Sequence, residues 1–199
     1  FSLIDPSDII IEIIEIFMFS ILYARELYPL QIFEKRKVFN TPVYTSIYPP
    51  LNEYIKNVLK AAKELKENNQ LQQVEIVIYQ ADSIVYEIYT FEIDDKNSYI
   101  FQNDDDVYLV RFEEEIRKSL IMLSGHVKDL DKLPKDAKFK VNLHTSQSGF
   151  VKMSNKPAHQ EFPWLQQAEN SLPDKSKGFI LPLAFLEGVG IQIYVEQFK

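Results

Sequence analysis

Apolar residues crowd the first part of the chain. Six isoleucines fall between Ile9 and Ile16, and Asp8, Glu12 and Glu15 interrupt them at helical spacing. That spacing predicts a helix from about Pro6 to Leu27 rather than a strand, despite the β-branched content. Asp5-Pro6-Ser7-Asp8 supplies its start: an acceptor for free amides, a proline at the first helical position and an acid at the positive end of the dipole. Apolar positions cover most of its circumference, so it is expected at the centre of the fold, packed under a sheet. The two glutamates also cut the run far short of the roughly 18 to 20 uncharged residues a bilayer requires, and it carries no basic leader or small-residue cleavage site.

A second helix is predicted from Pro49-Pro50, where Leu51, Tyr54, Ile55, Val58, Leu59, Ala62 and Leu65 form an amphipathic stripe closed by Asn68-Asn69. Between the two helices lie a basic cluster, Lys35-Arg36-Lys37, and an extended stretch from Val38 to Tyr48. Gln73 to Tyr79 and Ile84 to Ile93 read as a hairpin turning at Ala81-Asp82-Ser83. Asp104-Asp105-Asp106 caps a third helix carrying Leu109, Phe112, Ile116, Leu120, Leu123 and Val127. Phe139, Val141 and Leu143 alternate with polar residues in a strand ending near Thr145. Ser146 to Lys156 reads as polar and nearly structureless, Phe162-Pro163-Trp164 as an isolated aromatic knot, and Phe179 to Leu183 and Ile191 to Phe198 as two further strands. The order implies an α+β fold with three helices and a mainly antiparallel sheet, in one domain over 1–199 without internal repeats.

Charge narrows the partners. Lys+Arg number 22 against 29 Asp+Glu, a net charge of −7, which opposes broad nucleic-acid binding or attachment to anionic membranes. The absence of cysteine excludes disulfides, thiolate metal sites and cysteine nucleophiles.

Catalytic chemistry finds little support. Gly188-Val189-Gly190 has too few glycines for a phosphate-cradling loop. His126, His144 and His159 are far apart and lack metal-ligand spacing, Asp104-Asp105-Asp106 lacks the glycine and glutamate of a calcium loop, and Glu113-Glu114-Glu115 reads as a solvated helix face. A non-enzyme with no metal and no cofactor is expected. The aromatics, 13% of residues, are more telling. Trp164 sits in a polar stretch, as either a structural plug or a binding anchor.

Two blocks carry a resemblance. Ile21-Leu22-Tyr23-Ala24-Arg25-Glu26-Leu27-Tyr28-Pro29 followed by Ile32-Phe33-Glu34-Lys35-Arg36-Lys37-Val38-Phe39-Asn40-Thr41-Pro42-Val43 resembles the HORMA-domain accessory subunits of translesion DNA polymerase zeta. Leu51-Asn52-Glu53-Tyr54-Ile55, Leu143-His144-Thr145, Phe162-Pro163-Trp164 and Gln192-Ile193-Tyr194-Val195-Glu196 continue it in the same order.

The resemblance implies a HORMA fold: a three-helix core on an antiparallel sheet over about 1–145, and a C-terminal safety belt over about 146–199 that wraps a partner peptide. It implies a non-catalytic adaptor in translesion synthesis, localised to the nucleus. Tyr54, Trp164 and Leu165 are then expected to line the groove for a proline-containing peptide of the polymerase catalytic subunit, although Tyr54 also suits core packing of the second helix. Gln166 departs from the aliphatic residue common in the family two places after the tryptophan. Lys35 and Arg117 match a surface on which HORMA domains pair with each other. Ile180, Gln192 and Tyr194 match the surface that receives the C-terminal domain of the scaffold polymerase. A AAA+ remodelling ATPase is a further expected partner, with no direct nucleic-acid or membrane contact. Spindle-checkpoint or meiotic-axis HORMA proteins and, more distantly, a small hydrolase are the alternatives.

Overall fold

In a computed structural model the described residues are 5–80, 84–94, 106–157, 162, 164–167 and 179–198. The first helix, α1, runs from Pro6 to Ala24, with the Asp5 carboxylate accepting from the Ser7 amide at 2.8 Å. It stops three residues before the expected Leu27, because Arg25 caps it and Glu26 turns the chain at a positive φ of 51°. Ten of its residues are buried, among them Ile10, Ile13, Ile14, Phe17, Ile21 and Leu22, which makes it the axis of the core.

A short 3-10 turn at Leu30–Ile32 leads into a hairpin that the sequence reading did not foresee. The basic cluster is not a connection but most of strand β1 (Phe33–Val38), paired antiparallel with β2 (Thr41–Ser46). Phe39 and Asn40 both take positive φ, as the favoured two-residue hairpin turn demands. The next helix, α2 (Pro49–Glu67), buries the expected stripe apart from Tyr54, which is half-buried.

The main sheet has five antiparallel strands in the order β5-β3-β4-β7-β6. Its members are β3 (Leu71–Gln80), β4 (Ile84–Ile93), β5 (Lys138–Thr145), β6 (Phe179–Leu186) and β7 (Ile191–Gln197). Helices α1, α2 and α3 (Asp106–Lys128) pack on one side of it. On α3, Phe112, Ile116, Leu123 and Val127 are buried as expected, whereas Leu109 is exposed. The cap expected at Asp104-Asp105 and the turn at Ala81-Asp82-Ser83 lie outside the described residues.

The stretch after Thr145 contradicts its reading as structureless. Gln147–Ser154 forms a helix, α4, because the Ser146 hydroxyl caps it by accepting from Gly149 at 3.1 Å and because Phe150 and Met153 turn inward one turn apart. Gly149 fits closely there: a Cβ would stand 2.4 Å from the Thr145 hydroxyl oxygen, so one of the two would have to shift. Lys156 pairs with Glu64 and ties the end of α4 to α2.

One buried polar network links the layers. The Arg25 guanidinium, 7% exposed, meets the Glu87 carboxylate, 1% exposed, through Nη2 at 2.6 Å and Nε at 2.9 Å. Further Arg25 bonds reach the Val127 and Asp131 carbonyls, and the Tyr89 hydroxyl donates to Glu87 at 2.8 Å. The network joins the end of α1 to β4 and to the α3–β5 connection. Burial pushes the Glu87 carboxyl upward in pKa, and Arg25 and Tyr89 pull it back.

Candidate functional site

Strand β5 is an edge of the main sheet, with β3 on one side and no described strand on the other. An edge of this kind is a row of backbone donors and acceptors ready to pair with an added strand. Along it lies a cavity of about 420 Å³, whose walls are the Val141–Thr145 backbone run, Phe150 and Met153 of α4, and Trp164 to Gln167.

The aromatic residues form a continuous row beside this edge. Tyr28 meets Phe139 edge-on at 6.2 Å, Phe139 meets Tyr54 at 5.6 Å, Tyr54 meets Phe162 at 5.7 Å, and Phe162 meets Trp164 at 5.5 Å. Such contacts hold each ring in a defined orientation. Burial raises the pKa of the Tyr54 hydroxyl, which accepts a hydrogen bond from the Val141 amide at 3.2 Å. The Trp164 indole Nε1 is buried and has no hydrogen-bond partner among the described residues, and neither has the Thr145 hydroxyl. A donor left in that condition is costly, and a ligand acceptor would satisfy it.

Tyr54 and Trp164, distant in sequence, therefore stand in one row, bridged by Phe162. Leu165 lines the same cavity but is 89% exposed and stands apart from the packed rings. Gln166 bonds to Gln147 across the cavity mouth at 3.3 Å. Phe139 and Tyr28 complete the row and were not singled out from the sequence. The inward alternation of Phe139 marked it as a strand residue and gave no sign of its neighbours.

His144, read as isolated, places Nε2 2.9 Å from a Glu75 carboxylate oxygen across the β3–β5 ladder. Glu113 and Glu115 are not merely solvated: Glu113 accepts from Asn40, and Glu115 accepts from the Gly188 amide at 3.0 Å. That bond, with Gly190 at a φ of 68°, shows the glycines building the β6–β7 turn.

Two other surfaces hold the remaining expected residues. Lys35 lies over the Tyr44 ring, 5.6 Å from its centroid, and Tyr44 stacks on Tyr23 at 3.6 Å. Tyr23, Tyr44 and Arg117 line a largely apolar cleft of about 540 Å³ between α1, β2 and α3, so Lys35 and Arg117 border one surface. Arg117 also reaches the Asn40 carbonyl at 3.5 Å. Ile180, 58% exposed, lies opposite Glu196 on β6, and Gln192 and Tyr194 share that face of β7. Among the described residues no helix is long and apolar enough to cross a membrane, and no three His, Asp or Glu side chains are grouped as metal ligands.

Comparison with known proteins agrees with this architecture. The family model described as the HORMA domain matches residues 6–171. DNA polymerase zeta subunit 2 of Drosophila melanogaster is 37% identical over 191 residues, covering 95% of each chain. The human mitotic spindle assembly checkpoint protein MAD2B is 31% identical over 193 residues, covering 96% of this chain and 90% of its own. Among solved structures, a chain of the mitotic checkpoint complex superposes with a TM-score of 0.77 at 18% identity, covering 97% of this chain and 98% of that one. C. elegans HTP-1 bound to HTP-3 motif-1 superposes with a TM-score of 0.69 at 14% identity, over 97% and 91%. A five-stranded antiparallel sheet with three long helices on one of its faces and similarity over nearly the whole length agree on one conclusion: the chain belongs to the HORMA-domain family.

Proposed function

We propose that this protein is the non-catalytic adaptor subunit of DNA polymerase zeta in translesion synthesis, and that it captures a proline-containing segment of the catalytic subunit along β5. The 37% identity to a polymerase zeta subunit 2 over 95% of both chains supports the complex. The peptide-binding part rests on one observation above all, the unpaired β5 edge flanked by the Tyr54–Phe162–Trp164 row. Backbone pairing supplies affinity in such an arrangement and side-chain pockets supply selection. The solved relative HTP-1, described as bound to a motif of HTP-3, supports capture of a polypeptide.

The segment from Ser146 onward acts as the safety belt. Gln147, Phe150, Met153 and Trp164 line the cavity beside β5, whereas β7 pairs with β4, and β6 with β7, on the other side of β3. The segment therefore has described residues on both sides of β3, and in this reading it encloses a guest held on β5. Lys35 and Arg117 serve pairing with a second HORMA domain, and Ile180, Gln192 and Tyr194 serve docking of the scaffold polymerase's C-terminal domain. Residence in the nucleus and opening of the belt by a AAA+ ATPase complete the reading. The name of the 31% identical MAD2B favours a spindle-checkpoint role as the second reading.

Affinity measurement by calorimetry with the polymerase catalytic subunit decides between them. Trp164→Ala is expected to weaken capture by about 2 kcal/mol, as truncated anchors do. If Trp164→Ala and Tyr54→Ala both bind as well as wild type, the groove is misassigned.

A further inference from the structure

A further cleft, of about 520 Å³, opens between α1, α2 and the β1–β2 hairpin. It shares no lining residue with the cavity beside β5. It is also distinct from the surface bordered by Lys35 and Arg117: Arg36 lines it, and neighbouring residues of a strand point to opposite faces. The lining carries four cations, Arg36, Lys56, Lys60 and Lys63, against one carboxylate, Glu15, in a chain whose net charge is −7. Lys63 is paired with Asp8 at 2.6 Å, and Arg36 with Glu34 at 2.7 Å in an exposed ion pair of little worth. Lys56 and Lys60 are exposed and pair with no described carboxylate.

The other side of the cleft is polar and incomplete. Asn52 donates from Nδ2 to the Ser46 carbonyl at 2.9 Å, which leaves its Oδ1 buried without a partner among the described residues. The Thr45 hydroxyl is in the same state. Glu15 adds a carboxylate whose pKa burial raises. All three can accept a hydrogen bond. One wall therefore asks for negative charge and the other for N–H donors.

We propose that this cleft is a docking site for an acidic segment of a partner polypeptide in extended conformation, additional to any guest on β5 and independent of it.

The spacing carries the proposal. Lys56 and Lys60 stand one helical turn apart, about 6.0 Å along α2. Alternate side chains of an extended chain recur about every 6.7 Å. Aspartates or glutamates at every second position therefore meet successive lysines along α2, and Asn52, one turn before Lys56, continues the line. Backbone amides along the edge of the same chain supply donors to Asn52, Thr45 and Glu15. The lysine stems are flexible, and in swinging out to the guest's carboxylates they open the way to these atoms. A nucleic-acid strand fits less well: its phosphates suit the lysines, but its phosphodiester backbone brings no N–H to the opposite wall, and Glu15 repels it.

The test is fluorescence anisotropy of the full chain with a labelled peptide of about eight alternating Glu and Thr residues, roughly 27 Å when extended, beside its Lys-Thr counterpart and a thymidine oligonucleotide of similar length. The Glu-Thr peptide is expected to bind and the Lys-Thr peptide not to. Lys56→Gln combined with Lys60→Gln should weaken the Glu-Thr peptide by about fivefold. Thr45→Val should weaken it by about fivefold, the factor that goes with one hydrogen bond, and Trp164→Ala should leave it unchanged, with melting temperatures confirming that each variant is folded. No saturable binding of the Glu-Thr peptide below about 1 mM, or binding that the lysine variant leaves intact, overturns the proposal. Equal affinity for the oligonucleotide, or full binding by Thr45→Val, reduces the cleft to a diffuse cationic surface and overturns it as well. Loss of the peptide in Trp164→Ala places it beside β5 instead, which overturns the separate site and leaves the β5 reading standing.

Discussion

Two polar regions of this molecule are built to opposite standards. Around Glu87 every carboxylate oxygen is bonded and Arg25 makes four hydrogen bonds, of which the one to the Asp131 carbonyl lies at the surface. Around Trp164 the indole donor and the Thr145 hydroxyl are buried with no partner among the described residues. The first region is complete as a free protein, and on the proposed function a guest completes the second. The two regions thus differ in how far their polar atoms are satisfied, although single buried atoms elsewhere, such as the Thr90 hydroxyl, also lack a described partner.

The contrast can be broken from either side. Arg25→Ala strands the Glu87 carboxylate in the core, and loss of one partner of a buried pair costs about 3–5 kcal/mol. Melting temperature should fall by on the order of 10 °C, while Trp164→Ala, acting on the other region, should shift it far less and instead lose peptide capture. Gly149→Ala drives a Cβ into the Thr145 hydroxyl, and overpacking of this kind costs about 1–3 kcal/mol. Chemical denaturation measures it, and a cost near zero would mean that α4 can shift away from β5.

The smallest effect belongs to Glu15, which has no partner on α1. Burial, with a smaller push from Glu12, raises its carboxyl above the ordinary value of 4.5. A folded-state pKa above the unfolded one means that ionisation opposes folding: the penalty is absent below the unfolded value and grows as pH rises through the folded value. Glu15→Gln should therefore raise the melting temperature at neutral pH and leave it unchanged near about pH 3. A stabilisation that persists in acid would point to packing rather than charge.

Much of the fold was legible where local chemistry and burial agree. Asp5 and Pro6 start α1 as their side chains dictate, and the stripe from Leu51 to Leu65 faces inward because its period is that of a helix. The β1–β2 hairpin was hidden for a physical reason. Glu34, Lys35, Arg36 and Lys37 are all exposed, so β1 shows no alternation, and its turn is closed by Phe39 rather than a glycine. Helix α4 was hidden by its length and by the polar residues that dominate it.

In the site, the resemblance pointed to Tyr54 and Trp164, but their relation to each other came only with the fold. Tyr54 and Val141 are 87 residues apart, and no periodicity in either segment encodes the bond between them. Phe162 was visible as part of an aromatic knot. Its role as the bridge between the two rings was not.

The strand order has a kinetic corollary. If the segment after Ser146 closes over a guest on β5 as proposed, the far anchor of that closure is the seven-pair register between β4 and β7. Escape is then timed by how often the host unzips those two strands, whatever the guest's own contacts. Guests of quite different affinity should leave at similar rates, and the slow clock they share should be the exchange of the β7 amides.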